Sequence, residues 1–170
     1  MISVTILTKN SEATLRAVLQ SVRTINEVII LDTGSTDKTL EIAEEFSNCQ
    51  IYRSPFIGFG LLHNLASSYA SHEWILSLDS DEVLSNELID EISNIKLDPL
   101  KIYSIRRNNY YNGKHIKWCG WYPDRNIRLY NKLHTSFTSD DVHESVMRKN
   151  LLETPLKNPM YHYSYLCISD

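Results

Sequence analysis

Three polar clusters stand where runs of apolar, strand-forming residues end. Thr8-Lys9-Asn10 closes the run Ile2–Thr8, Asp32-Thr33-Gly34-Ser35 follows Glu27–Leu31, and Asp79-Ser80-Asp81-Glu82 follows Glu73–Leu78. The third has the sharpest chemistry. Asp79 and Asp81, spaced i and i+2 at a strand end, can converge on one hard cation, or on a cation and a hydroxyl. Carboxylates suit Mg²⁺ or Mn²⁺, which also take oxygens from a diphosphate. The competing reading is a solvated acidic turn ahead of a helix capped by Ser85. D-x-D spacing alone does not separate the two, and the position after a fourth buried strand favours function. Asp32 can accept a hydrogen bond from a base N–H or a ribose hydroxyl, or it can make a turn and, with Ser35, cap the next helix. Thr8 and Asn10 either contact a nucleotide or satisfy the strand end.

The elements that must position these clusters can be read from periodicity. Ile2–Thr8, Glu27–Leu31 and Glu73–Leu78 are short and mostly apolar, as buried strands are, and Gln50–Arg53 is a weaker third strand between them. Between them, Leu15, Val18, Leu19 and Val22 form one helix face, with Ser11 its expected N-cap. Leu40, Ala43 and Phe46 mark a second helix, over 37–46. Leu62, Leu65, Ala66 and Tyr69 mark a third, and Leu88, Ile92 and Ile95 a fourth. This alternation predicts an α/β fold, a mostly parallel sheet flanked by helices, with ligands at the carboxyl ends of its strands. After Pro99 the pattern changes. Lys101–Tyr111, Lys114–Trp121 and Asn126–Tyr130 are strand-like, and Asn112-Gly113 is a hairpin signal. Antiparallel strands and loops on the same sheet are expected there. No linker separates the halves, so one domain is expected over 1–170, with a front half 1–98 and a rear half 99–170.

Charge follows the same division. Residues 1–100 hold 6 Lys+Arg against 15 Asp+Glu, and residues 101–170 hold 11 against 6. Within 101–133, 8 basic residues face 1 acidic residue, with 7 aromatics interleaved, a composition that calls for an anionic partner. No apolar run is long enough to span a bilayer. The segment Met1–Val4 has no basic stretch or cleavage site, which argues against a signal peptide. Three scattered cysteines, Cys49, Cys119 and Cys167, with no CxxC pair, fit a reducing cytoplasm and no structural zinc. G-x-G-x-x-G and the P-loop are both absent, so phosphate must be met by a metal and by rear-half Arg or Lys.

At Thr8-Lys9-Asn10, Asp32-Thr33-Gly34-Ser35-Thr36-Asp37 and Asp79-Ser80-Asp81-Glu82 the chain resembles the family 2 glycosyltransferases, which have the Rossmann-like GT-A fold. Tyr111-Asn112-Gly113, Gly120-Trp121-Tyr122-Pro123-Asp124, Arg128-Leu129-Tyr130 and Val142-His143-Glu144 are similar to the branch that builds lipopolysaccharide or lipooligosaccharide core, typified by β-1,4-glucosyltransferases. The resemblance covers nearly the whole chain in order. It implies that Thr8, Asn10, Asp32 and Ser35 hold the nucleotide of a UDP-sugar and that Asn64 supports the donor pocket. Asp79 would face the ribose or sugar, with Asp81 and Asp79 at a divalent metal, Mg²⁺ or Mn²⁺. His143-Glu144 falls where the family places its acidic base. Two departures stand out. Cys119-Gly120 replaces the two glycines often found before the Trp, and the chain stops where relatives carry a further helical, membrane-proximal segment.

The implied reaction is an inverting hexosyl transfer, of glucose in the named branch, to a lipopolysaccharide core or related anionic glycan. It would occur in the cytoplasm, with peripheral contact at the inner membrane face. Glu144 would take the acceptor proton, with Asp124 and Asp141 as competing bases and His143 orienting Glu144 or meeting the diphosphate. A surface pair of Glu144 with Arg148 at i+4 is the alternative. Trp121, Tyr122 and Arg125 are acceptor candidates, Trp118 is assigned to packing, and Arg128 is a donor-side cation. Strand alternation implies that Arg125, Ile127 and Arg128 cannot all face one site. Two other function classes compete. A sugar nucleotidyltransferase would want a glycine-rich basic loop after the first strand, which Thr8–Glu12 lacks. A non-catalytic nucleic-acid module using 101–133 would be opposed by the acidic front half, so no nucleic-acid partner is expected.

Overall fold

The computed structural model describes residues 1–111, 114–116, 122–139 and 144–165, with side chains described through Tyr163. The predicted strands form the front of one sheet: β1 (Ile2–Thr8), β2 (Val28–Asp32), β3 (Cys49–Arg53) and β4 (Trp74–Asp79). β1 pairs in parallel with β2 and β4, and β2 with β3. Every residue of β2 is buried, which is why its sequence is a continuous apolar run rather than an alternating one. One face carries α1 (Leu15–Ser21), α2 (Thr39–Glu44) and α4 (Asn86–Asn94), whose Leu15, Val18, Ile42, Leu88 and Ile92 pack on Val4, Ile6 and Leu78. The other carries α3 (Phe59–Tyr69), whose Leu62 and Ala66 meet Leu31. Each fully buried aliphatic side chain in these layers contributes about 1.5–3 kcal/mol.

The helix starts separate two expectations. Ser85 caps α4, its Oγ accepting from the Leu88 N–H at 3.1 Å. Ser11 does not cap α1. That helix begins at Leu15 with Thr14 in the N-cap position and no side-chain cap. The Ser11 carbonyl instead closes a turn with the N–H groups of Thr14 and Leu15. Its hydroxyl lies 2.8 Å from that of Ser80 and so ties the first cluster to the third.

The rear of the sheet contains β5 (Glu82–Leu84), β6 (Lys101–Tyr111), β7 (Lys114–His115), β8 (Asp124–Asn131) and β9 (Leu152–Tyr165). The strand order is β3-β2-β1-β4-β8-β6-β9-β5, with β7 on β6. β8 is antiparallel to both β4 and β6, as expected for this half. β9, however, runs parallel to β6, and the sequence pattern did not reveal it. Pro155 and Pro159 break its strand signal. The register shifts between Ser104, opposite Pro155, and Arg106, opposite Pro159, so an irregularity accommodates both prolines. The Asn112-Gly113 turn and most of the expected strand 114–121 lie outside the described residues.

Candidate active site

Parallel register brings the three clusters to one edge. Thr8 stands opposite Asp32, and Leu7 stands opposite Asp79. The loops beyond them are knitted together. Asn10, in left-handed backbone at φ 51°, accepts from the Thr36 N–H at 2.8 Å and donates its own N–H to Ser35 Oγ at 2.9 Å. Asp32 accepts from Thr8 Oγ1 at 3.1 Å, from Ser35 Oγ, and from the N–H groups of Gly34 and Ser35, both at 3.0 Å. Gly34, at φ +106°, supplies the turn that aims those amides. Burial pushes the Asp32 carboxyl up, but these hydrogen bonds outweigh it and hold it below the usual carboxylate range. Asp32 is thus a fixed anion at the floor of the edge, making the turn that was its alternative role; a nucleotide contact would use what its buried oxygens leave open.

A cleft of about 400 Å³ opens here, lined by Thr8, Thr33, Phe56, Phe59, His63, Asp79, Ser80 and Glu144, among others. Glu144 is half-buried and has no hydrogen-bond or ion-pair partner among the described residues. Its alternative as a surface pair does not form: Arg148 pairs with Glu153 at 2.9 Å. Asn64 lies behind this arrangement. Its Nδ2 donates to the Phe137 carbonyl at 3.1 Å and its Oδ1 accepts the Phe137 N–H at 2.9 Å, which pins Phe137, the bridge partner of Val146 near Glu144, onto α3.

Behind the cleft lies a charged network that sequence reading saw only in part. Arg128, nearly buried, donates to Asp79 at 2.5 Å and to Glu82 at 2.6 Å. Arg107 reaches Glu82 at 3.3 Å and Asp124 at 2.8 Å. Burial raises Asp79, but Arg128 foremost, with Arg107 beyond it, outweighs this and keeps this carboxyl low. Glu82, fully buried, moves the other way because desolvation dominates. Asp124 accepts from Arg107, Asn109 and Asn126, which overcome its burial and hold it below its usual range. That is the wrong direction for a general base at neutral pH. Arg128 is therefore spent on carboxylates within the protein.

Asp81 lies 3.4 Å from His162 Nε2 on the neighbouring strand β9, a carboxylate and an imidazole that fit one side of a divalent cation. No group of three such donors occurs among the described residues, so diphosphate oxygens and water would complete the shell. His63 was also missed. It is buried, stacks on Phe137 at 4.2 Å, and hydrogen-bonds Ser77 through Nδ1 at 3.1 Å. Burial pushes it down to about 4, so it faces the cleft as neutral imidazole. Glu82 had no sequence signal beyond its place in the third cluster, and His63 none beyond standing next to Asn64. Tyr122 is exposed and packs edge-on against His115, and Arg125 donates to the Leu156 carbonyl at 3.2 Å. His143, Trp121, Trp118 and Asp141 lie outside the described residues.

One geometric expectation is corrected. Tyr103 pairs with Leu129 but Ser104 pairs with Ile127, which leaves Arg128 as an extra residue in β8. This bulge breaks strict alternation, and Arg125, Ile127 and Arg128 all line one cavity.

The family model "Glycosyl transferase family 2" matches residues 3–154. The chain belongs to this glycosyltransferase family. An uncharacterized glycosyltransferase of Rickettsia typhi is 34% identical over 96% of this chain and 60% of its own length. The lipopolysaccharide core biosynthesis glycosyltransferase LpsC of Rhizobium meliloti is 24% identical over 99% of this chain and 65% of its own. The chain thus spans about 60% of the length of the rickettsial relative. Among solved structures, Staphylococcus aureus TarS, crystallised with UDP-GlcNAc, superposes with a TM-score of 0.71 at 20% identity, covering 96% of this chain and 58% of TarS. That likeness supports the GT-A fold for this family 2 chain. No helix among the described residues is long and apolar enough to cross a membrane.

Proposed function

We propose that this family 2 chain transfers a hexose, glucose in the first instance, from a UDP-sugar to a lipopolysaccharide core or related anionic glycan with inversion. The observation that carries this reading is the cleft at the carboxyl edge of β1, β2 and β4, where Thr8 and Asp79 share one wall system with Glu144. The lipopolysaccharide role of LpsC and the UDP-GlcNAc bound to TarS support the acceptor and donor classes. Thr8, Asn10, Asp32 and Ser35 shape the nucleotide end. Asp79, fixed by Arg128, meets the ribose or sugar hydroxyls. Glu144 takes the proton from the acceptor hydroxyl as that oxygen bonds to the anomeric carbon. The anomeric bond to the diphosphate breaks on the opposite side, and the diphosphate leaves with its electron pair. Asp81 and His162 would hold a divalent cation, whose charge offsets that of the leaving diphosphate. Much of the remaining rate comes from alignment of the two substrates. We place the work at the cytoplasmic face of the membrane, with residues 1–98 serving the donor and 99–170 the acceptor in one domain.

The test is a panel of nucleotide sugars with Mn²⁺ or Mg²⁺. UDP plus metal should raise the melting temperature, and Asp81→Ala should lose that rise. Glu144→Gln should keep UDP binding and lose transfer. No shift with any nucleotide overturns the reading, and an active Glu144→Gln moves the base to Asp141.

A further inference from the structure

Beyond Glu144 lies a second cavity of about 410 Å³. Among the described residues, Glu144 is the one common to its wall and to that of the donor cleft. An inverting transfer needs its base at such a boundary, with the donor on one side and the attacking hydroxyl entering from the other.

The charges of this second cavity do not balance internally. Arg128 is neutralised by Asp79 and Glu82, and Arg148 by Glu153. Arg125 has only the Leu156 carbonyl, and no carboxylate pairs with it among the described residues. Directly opposite Arg125 in the β6–β8 ladder stands Arg106. The Arg106 Nε is buried without a hydrogen-bond partner. Like charges facing each other across a ladder repel, and residues in register share a face of the sheet. Two guanidinium groups are therefore held side by side, Arg125 in the wall and Arg106 in register beside it, and among the described residues Glu144 is the one unpaired carboxylate of that wall. A guanidinium fork matches phosphate or carboxylate oxygens in a bidentate manner.

We infer that this cavity receives the acceptor, and that Arg125, with Arg106 beside it, binds a phosphate or carboxylate carried by the acceptor sugar while its hydroxyl meets Glu144. This rests on the transfer reading above. It adds the position of the acceptor, the residues that select it, and the requirement for an anionic group. The bulge at Arg128 breaks the alternation of β8, and Arg125, Asn126, Ile127 and Arg128 all contribute to the wall.

The experiment is calorimetric titration of glucose 6-phosphate, glucuronate and glucose into the protein, alone and with UDP and Mn²⁺ filling the donor cleft. At least one anionic sugar should bind more tightly than glucose. Arg125→Gln should weaken that binding about tenfold, as loss of one charge-assisted hydrogen bond does. Arg125→Lys should recover part of it, and UDP affinity should not change. Tight glucose 6-phosphate identifies a phosphate as the acceptor's anion, and tight glucuronate a carboxylate; either supports the inference. Arg125 is exposed, so its variants should fold; Arg106→Gln, checked by circular dichroism, should show the same loss. Anionic sugars that bind no better than glucose, or that bind Arg125→Gln as they bind the parent, overturn the inference while UDP binding stands. Failure of UDP to bind overturns the donor reading, and the titrations without UDP still decide the cavity.

Discussion

Replacing Asn64 by alanine distinguishes a residue that touches the donor from one that holds the loop bearing the base. Asn64 spends both halves of its amide on the backbone of Phe137, at 3.1 and 2.9 Å. Each bond is worth about 0.5–1.5 kcal/mol net, and leaving the Phe137 N–H and carbonyl unpaired adds desolvation cost, for a total of about 2–4 kcal/mol. For a chain of this size each kcal/mol lowers the melting temperature by about 2–4 °C, so a fall of roughly 5–15 °C is expected. Phe137 also stacks on His63 and bridges Val146, two residues from Glu144, so the damage reaches the cleft. A misplacement on the order of 1 Å costs about a hundredfold in rate. Urea unfolding followed by tryptophan fluorescence, UDP calorimetry and a transfer assay should together show lower stability, UDP affinity within about twofold of the parent, and transfer lost a hundredfold. Unchanged stability with a tenfold loss of UDP affinity would refute the reasoning and return Asn64 to direct donor contact.

Arg128→Met should cost about 3–5 kcal/mol in urea unfolding, because it leaves Glu82 buried with only Arg107 nearby; a loss below about 1 kcal/mol would show that the network carries little stability. At the opposite end of the strands, burial pushes the Glu27 carboxyl up, but hydrogen bonds from Ser3 and Ser71, with His72 nearby, outweigh this and hold it low. A depressed carboxyl stabilises above its unfolded pKa of about 4.5 and loses that contribution as pH falls. Melting curves from pH 7 to 3 should therefore fall more steeply below about 4.5 in the parent than in Glu27→Gln; parallel curves would exclude the linkage.

The donor edge was legible because its strands are buried on both faces. Such strands are written as apolar runs, and the first polar residues after them must lie at the edge, as Thr8, Asp32 and Asp79 do. What lay behind the edge was not legible. Glu82 reads like any acidic turn residue until Arg128 arrives from a strand 46 positions away. Arg107 and His162 likewise acquire meaning only through cross-strand register. The proline-marked β9 hid the strand that carries His162, and the bulge in β8 defeated the alternation rule at Arg128. Ser11, an N-cap by its spacing, was taken instead by a long-range partner, Ser80.

The strand order also carries a consequence for synthesis on the ribosome. β4 leaves the tunnel early, yet its outer neighbour is β8, made about fifty residues later, and β8 inserts between β4 and the already finished β6. Until then the outer edge of β4 is an unpaired template in a nascent chain, open to pairing with another copy. The insertion that closes it also delivers Arg128 to Asp79 and Glu82. Until β8 has docked, a newly made molecule has neither a closed sheet nor charge-balanced acidic residues at its cleft.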